Sequence, residues 1–433
     1  MRQFAAFAAL IALLAVLIGA CGGDEAEPQS SPAASLTSTP SLTAAPTPTL
    51  GNPEFDSSRA LELVRALSVD IGIRAAGTEG EKQAANYIRD ELAKYGYDAS
   101  LQPFPIETFA DVNTSLEVVS PQERAIAAAA LGGSTSASLE AKLMAAGRGH
   151  PQEFPLGTEG NIVVVERGEI TFGEKVANAT AAGASGVIIF NNQSGPFFGG
   201  LQEASRIPAV SITREEGLSL VDQANNGPVI VRLSVETRTD TGESQNVVAK
   251  PPGGECRLVI GGHYDSVPAG PGANDNASGT AVVIEMARAM AADGAFDDAC
   301  FALFGSEEIG LVGSAYYVAS LPPAEAPAIE AMLNFDMLAV GDAWPLSGSQ
   351  SVVAIASQEA DRLSIDHSTE SGQSGGGSDH ASFMQAGIPA ILFNCFCDPN
   401  YHTADDRFEH VKEQRLAEAG AIGMATAKVL LAD

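Results

Sequence analysis

The stretch CFALFGSEEIG, residues 300–310, runs an unbroken apolar segment into a Gly-Ser pair and then into two adjacent glutamates, Glu307 and Glu308. A continuous apolar run of this length is typical of a strand buried on both faces, as in a parallel sheet. In such sheets, ligand sites form beyond the carboxyl ends of the strands. This stretch therefore predicts a buried parallel strand with two charged side chains at the functional edge of a sheet.

The same pattern recurs through the second half of the chain. Further apolar strands are predicted in RLVIGGHYDS (257–266), IEAMLNFDM (329–337) and IPAILFN (388–394). Helices are predicted in SGTAVVIEMARAMAADG (278–294) and at the C-terminus. Buried strands that alternate with helices predict an α/β fold, three-layer α/β/α, with a mixed, mostly parallel sheet.

Chemistry-bearing side chains follow most of these strands. They are His263, Asp265, Asp275, Glu307, Glu308, Asp336 and His402. Carboxylates that converge on one crevice repel each other unless cations neutralise them. Two imidazoles among the carboxylates favour a transition metal, zinc first, although manganese or cobalt would also suit these ligands.

These side chains suffice for two metal ions. His263, Asp275 and Asp336 could hold one ion, and Asp275, Glu308 and His402 the other, so that Asp275 bridges them. Two zinc ions about 3.5–4 Å apart hold a water between them, and this bridging hydroxide would attack a carbonyl. Adjacent side chains at a strand end point in opposite directions, so Glu307 would face the substrate as the general base.

The segment before residue 112 predicts a helix followed by a strand. GTEGEKQAANYIRDELAKYGYD (77–98) offers Thr78 as the N-cap with Glu81 three residues later, the pattern of a capping box. An apolar stripe follows at Ala84, Ala85, Ile88 and Leu92, and ASLQPFPIETF (99–109) predicts an extended strand.

Residues 112–239 differ in character and lack a cluster of metal-ligand spacing. Strand, helix (about 172–182) and strand are predicted in order, and RGEITFGEKVANATAAGASGVIIFN (167–191) resembles the protease-associated domain. The resemblance implies a smaller, β-rich α/β insert without catalytic residues; an independent domain with its own ligand is the alternative. We therefore expect a catalytic domain of residues 55–111 and 240–433, interrupted by an insert of residues 112–239.

Five blocks of the catalytic part resemble the co-catalytic dizinc aminopeptidases, a family that includes secreted bacterial leucine aminopeptidases and glutamate carboxypeptidases. The blocks are GGHYDS (261–266), GANDNASG (272–279), FGSEEIGLVGS (304–314), NFDM (334–337) and YHTADD (401–406). The resemblance covers about residues 55–101 and 246 to the C-terminus. It implies the zinc-dependent exopeptidase fold, two Zn²⁺ per subunit and peptide substrates.

The resemblance also implies roles for single residues. The metal ligands and the base Glu307 are the residues assigned above, and Asp265 orients His263. Tyr401 matches a position that stabilises an oxyanion in some members. The block GSDHASF (377–383) also matches, and we interpret its Asp379 and His380 as pocket wall and support.

These features predict a metallo-exopeptidase that removes N-terminal residues from peptides. A carboxypeptidase would need Arg or Lys for the terminal carboxylate, and few basic residues accompany the motifs, yet a carboxypeptidase or dipeptidase stays open. A glutaminyl cyclase normally binds one zinc ion, so five retained ligand positions argue against it. A surface-binding protein that has lost the chemistry would lack ligands or the base, and this chain has both.

Length and charge bear on the number of domains and on the class of binding partner. The 433 residues are too many for one compact core, so two domains are expected. The chain carries 54 acidic and 24 basic residues, a formal net charge of -30. Nucleic-acid binding depends on clustered Lys and Arg, so this composition argues against it.

The N-terminus predicts export. A basic start is followed by an apolar run, residues 5–20, and LIGAC (17–21) resembles a bacterial lipobox, which implies a signal peptide of residues 1–20 and a lipid on Cys21. An uncleaved membrane anchor is the alternative. Residues 21–54, rich in Ser, Thr and Pro, would form a disordered tether to the outer face of a membrane, on the cell surface or the periplasmic side.

Four cysteines follow Cys21. Cys256 lies seven residues before His263 and Cys300 seven before Glu307, so on parallel neighbours the two would fall level, about 5 Å apart, within disulfide reach. We expect that bridge, with two buried thiols as the alternative. A bridge between Cys395 and Cys397 would be strained, and their state stays open.

Overall fold

The computed structural model describes residues 51–195, 197, 199–201, 204–294, 297–369, 377–395 and 397–432. The predicted signal peptide, Cys21 and the tether up to residue 50 lie outside this part of the chain, so those interpretations stay predictions. Among the described residues, none of the helices combines the length and the apolar character needed to cross a membrane.

Fourteen strands of the described chain belong to one continuous sheet. They are β1 Asp98–Ser120, β2 Arg124–Ile126, β3 Ala129–Ala130, β4 Ala137–Ala145, β5 Ile162–Glu166, β6 Gly186–Phe190, β7 Ala209–Ile212, β8 Ile230–Lys250, β9 Leu258–His263, β10 Ala299–Phe304, β11 Ala331–Phe335, β12 Trp344–Gly348, β13 His367–Thr369 and β14 Ala390–Phe393. Their order is β13-β12-β14-β11-β9-β10-β8-β4-β5-β6-β7-β3, with β1 paired to β8 and β2 to β1.

Helices cover the sheet. They are α1 Ser57–Arg65, α2 Glu79–Lys94, α3 Phe172–Ala181, α4 Arg214–Asn226, α5 Gly279–Asp293, α6 Val312–Ala319, α7 Gln350–Leu363, α8 His380–Gln385 and α9 Glu413–Leu430. A short turn of π-helix, Ala66–Ile71, precedes α2, and an irregular turn, Ala273–Ser278, in which Asp275 and Asn276 have non-helical backbone angles, precedes α5. The predicted helices over 77–98, 172–182 and 278–294 are therefore present.

The four central strands β14, β11, β9 and β10 run parallel, as their continuous apolar sequences predicted. Successive residues of β9 alternate between two cores: Ile260 packs on one face and Val259 on the other. Helices α1, α2, α5, α7 and α9 cover the first face, and α6 and α8 cover the second. This confirms the three-layer α/β/α architecture.

Glycines let the elements around the functional edge approach closely. A Cβ atom built on Gly262 of β9 would lie 2.4 Å from the carbonyl oxygen of Phe335, and one built on Gly279 would lie 2.1 Å from the same oxygen. Only glycine fits where backbone meets backbone at these distances. The start of α5 is thereby held against the end of β11, which draws the turn before α5 toward Asp336.

A long two-stranded ribbon joins the catalytic part to the insert. β1 and β8 pair antiparallel from Asp98–Lys250 to Ser120–Ile230. One end of β8 pairs with β10 of the catalytic sheet, and the other pairs with β4 of the insert. The predicted boundaries at 111/112 and 239/240 thus fall within continuous strands, and the ladder shifts register there, between Asp111 and Asn113.

The insert is a small α/β unit around the parallel strands β4, β5, β6 and β7. Leu220 of α4 packs on one face of these strands, and Val176 and Ala179 of α3 pack on the other. The capping box at the start of α3 forms between Thr171 and Glu174. The insert therefore buries its own core.

Cys256 and Cys300 form a disulfide with a Cα–Cα distance of 5.4 Å. The pairing was predicted correctly, but the assumption that the two residues lie level was wrong. His263 pairs with Phe304 rather than Glu307, and Cys300 lies opposite Val259, three residues beyond Cys256. The bond forms because Cys256 lies in the loop that precedes β9 and is not held by the ladder. Cys395 is a buried free thiol and Cys397 an exposed one.

Replacement of Cys256 and Cys300 by alanine should lower the free energy of unfolding by about 4 kcal/mol, from the loop entropy of a bridge across 44 residues. Turnover should not change, because the bond lies at the opposite end of β9 and β10 from His263 and Glu307. Urea unfolding curves would measure the loss, with Cys397→Ser as the control for removal of a thiol. An unchanged midpoint would contradict this prediction.

Candidate metal centre

The first group of potential ligands lies at the ends of β9 and β11. His263 is the last residue of β9 and is buried, and Asp336 follows directly after β11. Nε2 of His263 lies 3.3 Å from Oδ1 of Asp336 and 3.3 Å from Oδ1 of Asp275. Three potential ligand atoms from separate segments of the chain therefore lie close enough together to bind one ion.

Asp275 lies in the turn before α5 and faces both groups. While Oδ1 of Asp275 approaches His263, its Oδ2 lies 3.2 Å from Nε2 of His402. The same imidazole nitrogen lies 3.1 Å from Oε2 of Glu308. In each group, the ligand atoms all lie within 4.8 Å of one another. The two groups share Asp275, which is the arrangement that the sequence predicted.

The paired glutamates sit on a tight turn after β10. Ser306 adopts a left-handed backbone conformation, with φ of 59°, between the end of the strand and the pair. The backbone N–H groups of Glu307 and Glu308 donate to the Asp265 carboxylate at 3.0 and 3.2 Å. Glu308 turns to the ligand cluster, whereas Glu307 belongs to neither group of ligand atoms.

Asp265 was predicted to orient His263. Its Oδ1 lies 3.4 Å from Nδ1 of His263, but that nitrogen makes no hydrogen bond within the described structure. The carboxylate instead accepts the two amides of the glutamate turn. Asp265 thus links the end of β9 to that turn, and its role toward His263 stays a prediction.

Burial sets the protonation behaviour of the carboxyl groups. It raises the pKa of Glu307 well above its ordinary value; the charge of His263 opposes this shift and that of Glu308 adds to it. Burial, with repulsion from Asp275, raises the pKa of Glu308 to about 7. For Asp275, hydrogen bonds to the two imidazoles outweigh burial and lower the pKa.

The pKa values of both imidazoles are raised. Burial alone would lower the pKa of His402, but hydrogen bonds to Asp275 and Glu308 raise it to about 10. For His263, burial again opposes the shift, and the charges of Glu307 and Asp336 raise the pKa well above its ordinary value. The cluster therefore attracts positive charge strongly, whether as protons on the imidazoles or as bound cations.

The donor set fits zinc. Each group supplies one imidazole nitrogen and two carboxylates, the ligands of many catalytic zinc sites. Oε1 of Glu308 is buried and has no hydrogen-bond partner among the residues that the structure describes, as expected of an oxygen that would bind a cation. The strand ends and turns that carry these residues are largely buried, so the side chains are held in place by the surrounding packing.

Sequence reasoning missed Asp406, which holds the Asp275 turn. Its two carboxylate oxygens accept the backbone N–H groups of Asn274 and Asp275 at 2.7 and 2.9 Å. The Asn274 side chain donates to Asp398 at 2.9 Å and accepts the N–H of Ala339 at 2.8 Å. The only sequence signal for Asp406 was its place in the YHTADD block. That signal was not sufficient, because the pattern does not distinguish Asp406 from its exposed neighbour Asp405.

Arg74 was also missed. The side chain is fully buried, and its guanidinium donates five hydrogen bonds to the carbonyl oxygens of Leu67, Gly72, Tyr264, Pro271 and Gly272. Burial lowers its pKa to about 10, although the charges of Asp265 and Asp406 oppose that shift. Arg74 thus ties the residue after His263 to the loop before Asp275.

The remaining predicted site residues lie near the centre. Tyr401 is 45% exposed and stacks on the His402 ring with a centroid distance of 3.7 Å. Asp379 and His380 are buried at the start of α8. Burial raises the pKa of Asp379 to about 7 and lowers that of His380 to about 4.

Comparison with known proteins finds matches to a peptidase family, to the PA domain and to an aminopeptidase. Residues 246–427 match the peptidase family M28, and residues 117–220 match the PA domain. The chain is similar to aminopeptidase YwaD of Bacillus subtilis (strain 168), with 35% identity over 396 residues, 84% of this chain and 83% of the relative.

Two solved structures agree. The aminopeptidase from Aneurinibacillus sp. strain AM-1 superposes with a TM-score of 0.75 and 31% identity, over 86% of this chain and 93% of that one. The zinc aminopeptidase BSAP from Bacillus subtilis gives a TM-score of 0.69 and 32% identity, over 87% and 95% of the two chains.

Replacement of Asp406 by asparagine should weaken zinc binding about 10–100-fold, the usual effect of losing a group that orients a metal ligand. One amide of the Asp275 turn would lose its acceptor, because asparagine offers a single oxygen. Competition with a chromogenic chelator would measure the affinity. Asp405→Asn is the matched control, since that neighbour is exposed. Equal affinities in the two variants would show that Asp406 does not orient Asp275.

Proposed function

The chain belongs to peptidase family M28, as its motifs predicted, and we propose that it is an aminopeptidase that works with two zinc ions per subunit. One observation carries this proposal. Two groups of ligand atoms share the Asp275 carboxylate, and the half-buried Glu307 beside them belongs to neither group. That is the composition of a dizinc hydrolase with a separate base.

The ligand residues would divide as the geometry groups them. His263, Asp275 and Asp336 would hold one ion, and Asp275, Glu308 and His402 the other. Zinc in such a site polarises the scissile carbonyl and lowers the pKa of a water to about 7. Both imidazoles must be neutral to bind it, so acid would displace the metal.

Glu307 would move the proton. Its carboxylate would accept a proton from the attacking water and deliver that proton to the nitrogen of the leaving amine. A carboxyl group whose pKa is raised by burial can hold the proton near neutral pH, which an exposed glutamate does poorly. The Asp265 carboxylate would keep Glu307 in place, since it accepts the Glu307 amide.

Tyr401 would assist at the oxyanion. The half-exposed ring stacks on that of His402, which places Tyr401 directly beside one of the proposed ligands. A phenol donates a hydrogen bond to an oxyanion without requiring a charge of its own.

The charge around the centre supports an aminopeptidase. The carboxyl groups of Asp265, Glu307 and Asp379 lie close to the ligands and offer oxygen acceptors, which suit the protonated N-terminus of a peptide. A carboxypeptidase would need a cation for the terminal carboxylate. Arg74 lies close by but uses its N–H groups on backbone carbonyls, so it is not offered to a substrate.

We also propose that the enzyme is exported and held at a membrane by a lipid on Cys21. The apolar run of residues 5–20 and the sequence LIGAC support this. Incorporation of a labelled fatty acid into the wild-type protein, but not into Cys21→Ala, would check it. Labelling of both proteins would contradict it.

The test of the function is a panel of aminoacyl-p-nitroanilides incubated with residues 51–433. Cleavage should cease when a chelator removes the metal and return on addition of zinc, with two zinc ions bound per chain. Glu307→Gln should keep both ions and the fold while kcat falls about 10²–10⁴-fold, the usual contribution of general acid–base catalysis.

Three outcomes would change the proposal. Unchanged turnover in Glu307→Gln would remove the base from this position. Release of C-terminal residues or hydrolysis of dipeptides, without cleavage of the panel, would reverse the substrate polarity. Failure to bind zinc or cleave any peptide would indicate a protein that binds a partner through this fold.

A further inference from the structure

Glu81 is a buried carboxylate beside the centre. It lies in the first turn of α2 and is 1% exposed. Its Oε2 accepts the N–H of Gly77 at 2.7 Å, while its Oε1 accepts the hydroxyl groups of Ser244 at 2.7 Å and Ser306 at 3.1 Å. In the capping box that the sequence predicted, Glu81 would accept the N–H of Thr78. The structure instead turns this carboxylate inward to β8 and the end of β10.

The contact with Ser306 is the informative one. Ser306 is the left-handed residue on which the chain turns from β10 to Glu307 and Glu308. A left-handed conformation costs free energy for any residue with a side chain and persists where neighbours stabilise it. The Ser306 hydroxyl, bound to Glu81, is such a stabilising contact.

The turn is therefore held from two sides. Asp265 accepts the amides of Glu307 and Glu308, and Glu81 accepts the hydroxyl of Ser306. There is little room for the turn to shift, because a Cβ atom on Gly305 would lie 2.8 Å from Oε1 of Glu81. Loss of either anchor should let the glutamates move.

We propose that Glu81 is a positioning residue for the reaction, which acts through the Ser306 hydroxyl to fix the direction of Glu307 and Glu308. The inference rests on the proposed function, since it assigns Glu81 to the turn that carries the base. It concerns a residue outside the segment that matches the peptidase family, residues 246–427.

The burial of Glu81 supports a role beyond capping. Burial raises its pKa to about 7, and repulsion from Asp265 adds to the shift. A helix cap can be provided by an exposed side chain at no such cost. Buried carboxylates that lie near one another and have shifted pKa values are typical of functional sites, where their contacts position other residues.

The experiment compares Glu81→Gln, Ser306→Ala and the double variant with the wild type. Glutamine has the shape of glutamate but offers one acceptor oxygen to three donors, so it cannot keep every contact. Ser306→Ala removes the same link without placing a new group in the interior, which keeps the test valid if Glu81→Gln folds poorly. Glu285→Gln is the control, because Glu285 is another fully buried carboxylate, paired with Arg288 in α5 away from the metal ligands.

We expect kcat to fall about 10-fold in Glu81→Gln and in Ser306→Ala, the usual effect of losing a supporting hydrogen bond, with KM changed less than about twofold. Zinc binding should weaken by a similar factor, because Glu308 lies on the same turn. The double variant should lose no more kcat or zinc affinity than the more affected single variant, since both substitutions remove the same hydrogen bond between Ser306 and Glu81. Glu285→Gln should lower the melting temperature and leave kcat and zinc affinity unchanged.

Other results would overturn the inference. Wild-type kcat and zinc affinity in Glu81→Gln would show that Glu81 only stabilises the fold, as would equal losses in Glu285→Gln. Additive losses in the double variant would show that Glu81 does not act through Ser306. If the wild type itself shows no zinc-dependent cleavage, the proposed function fails, and zinc affinity alone then decides the inference.

Discussion

The repulsion among carboxylates at one edge of the sheet is the constraint on which the rest of the structure depends. Asp265, Asp275, Glu307, Glu308 and Asp336 meet where the parallel strands end. Buried carboxylates at such separations cannot all stay ionised unless donors and cations surround them. The fold supplies two imidazoles and a set of backbone amides, and the remaining imbalance is what makes the centre a strong cation site.

Backbone amides are the main means of control. Asp265 and Asp406 each accept two consecutive N–H groups, one pair from the glutamate turn and the other from the Asp275 turn. The loop that each carboxylate orients thus supplies the hydrogen-bond donors for both of its oxygens. The buried Arg74 ties these loops together through carbonyl oxygens. The candidate ligands are thus oriented by residues that lie behind them, and the proposed general acid–base catalysis would require rigid placement of this kind.

The same ribbon that carries the insert also reaches the centre. β8 pairs with the insert at one end, and near its other end Ser244 contacts Glu81 while Asn246 accepts the N–H of Gly305 at 3.3 Å. The insert and the glutamate turn are therefore both in contact with one continuous strand. This explains why the two parts form a single sheet although each buries its own core.

The sequence by itself determined the fold class, the order of strands and helices in the catalytic part, and the side chains that gather at its functional edge. It could do so because continuous apolar strands between helices form a parallel sheet, and residues after such strands meet at one edge whatever the detailed packing. The tertiary structure alone decided the register that sets Cys300 opposite Val259, and the contacts of Arg74, Glu81 and Asp406. In local sequence these three are an ordinary arginine, a capping glutamate and one of two adjacent aspartates. Their roles arise from contacts with residues far away in the chain, and only the packing of helices against the sheet brings those residues together.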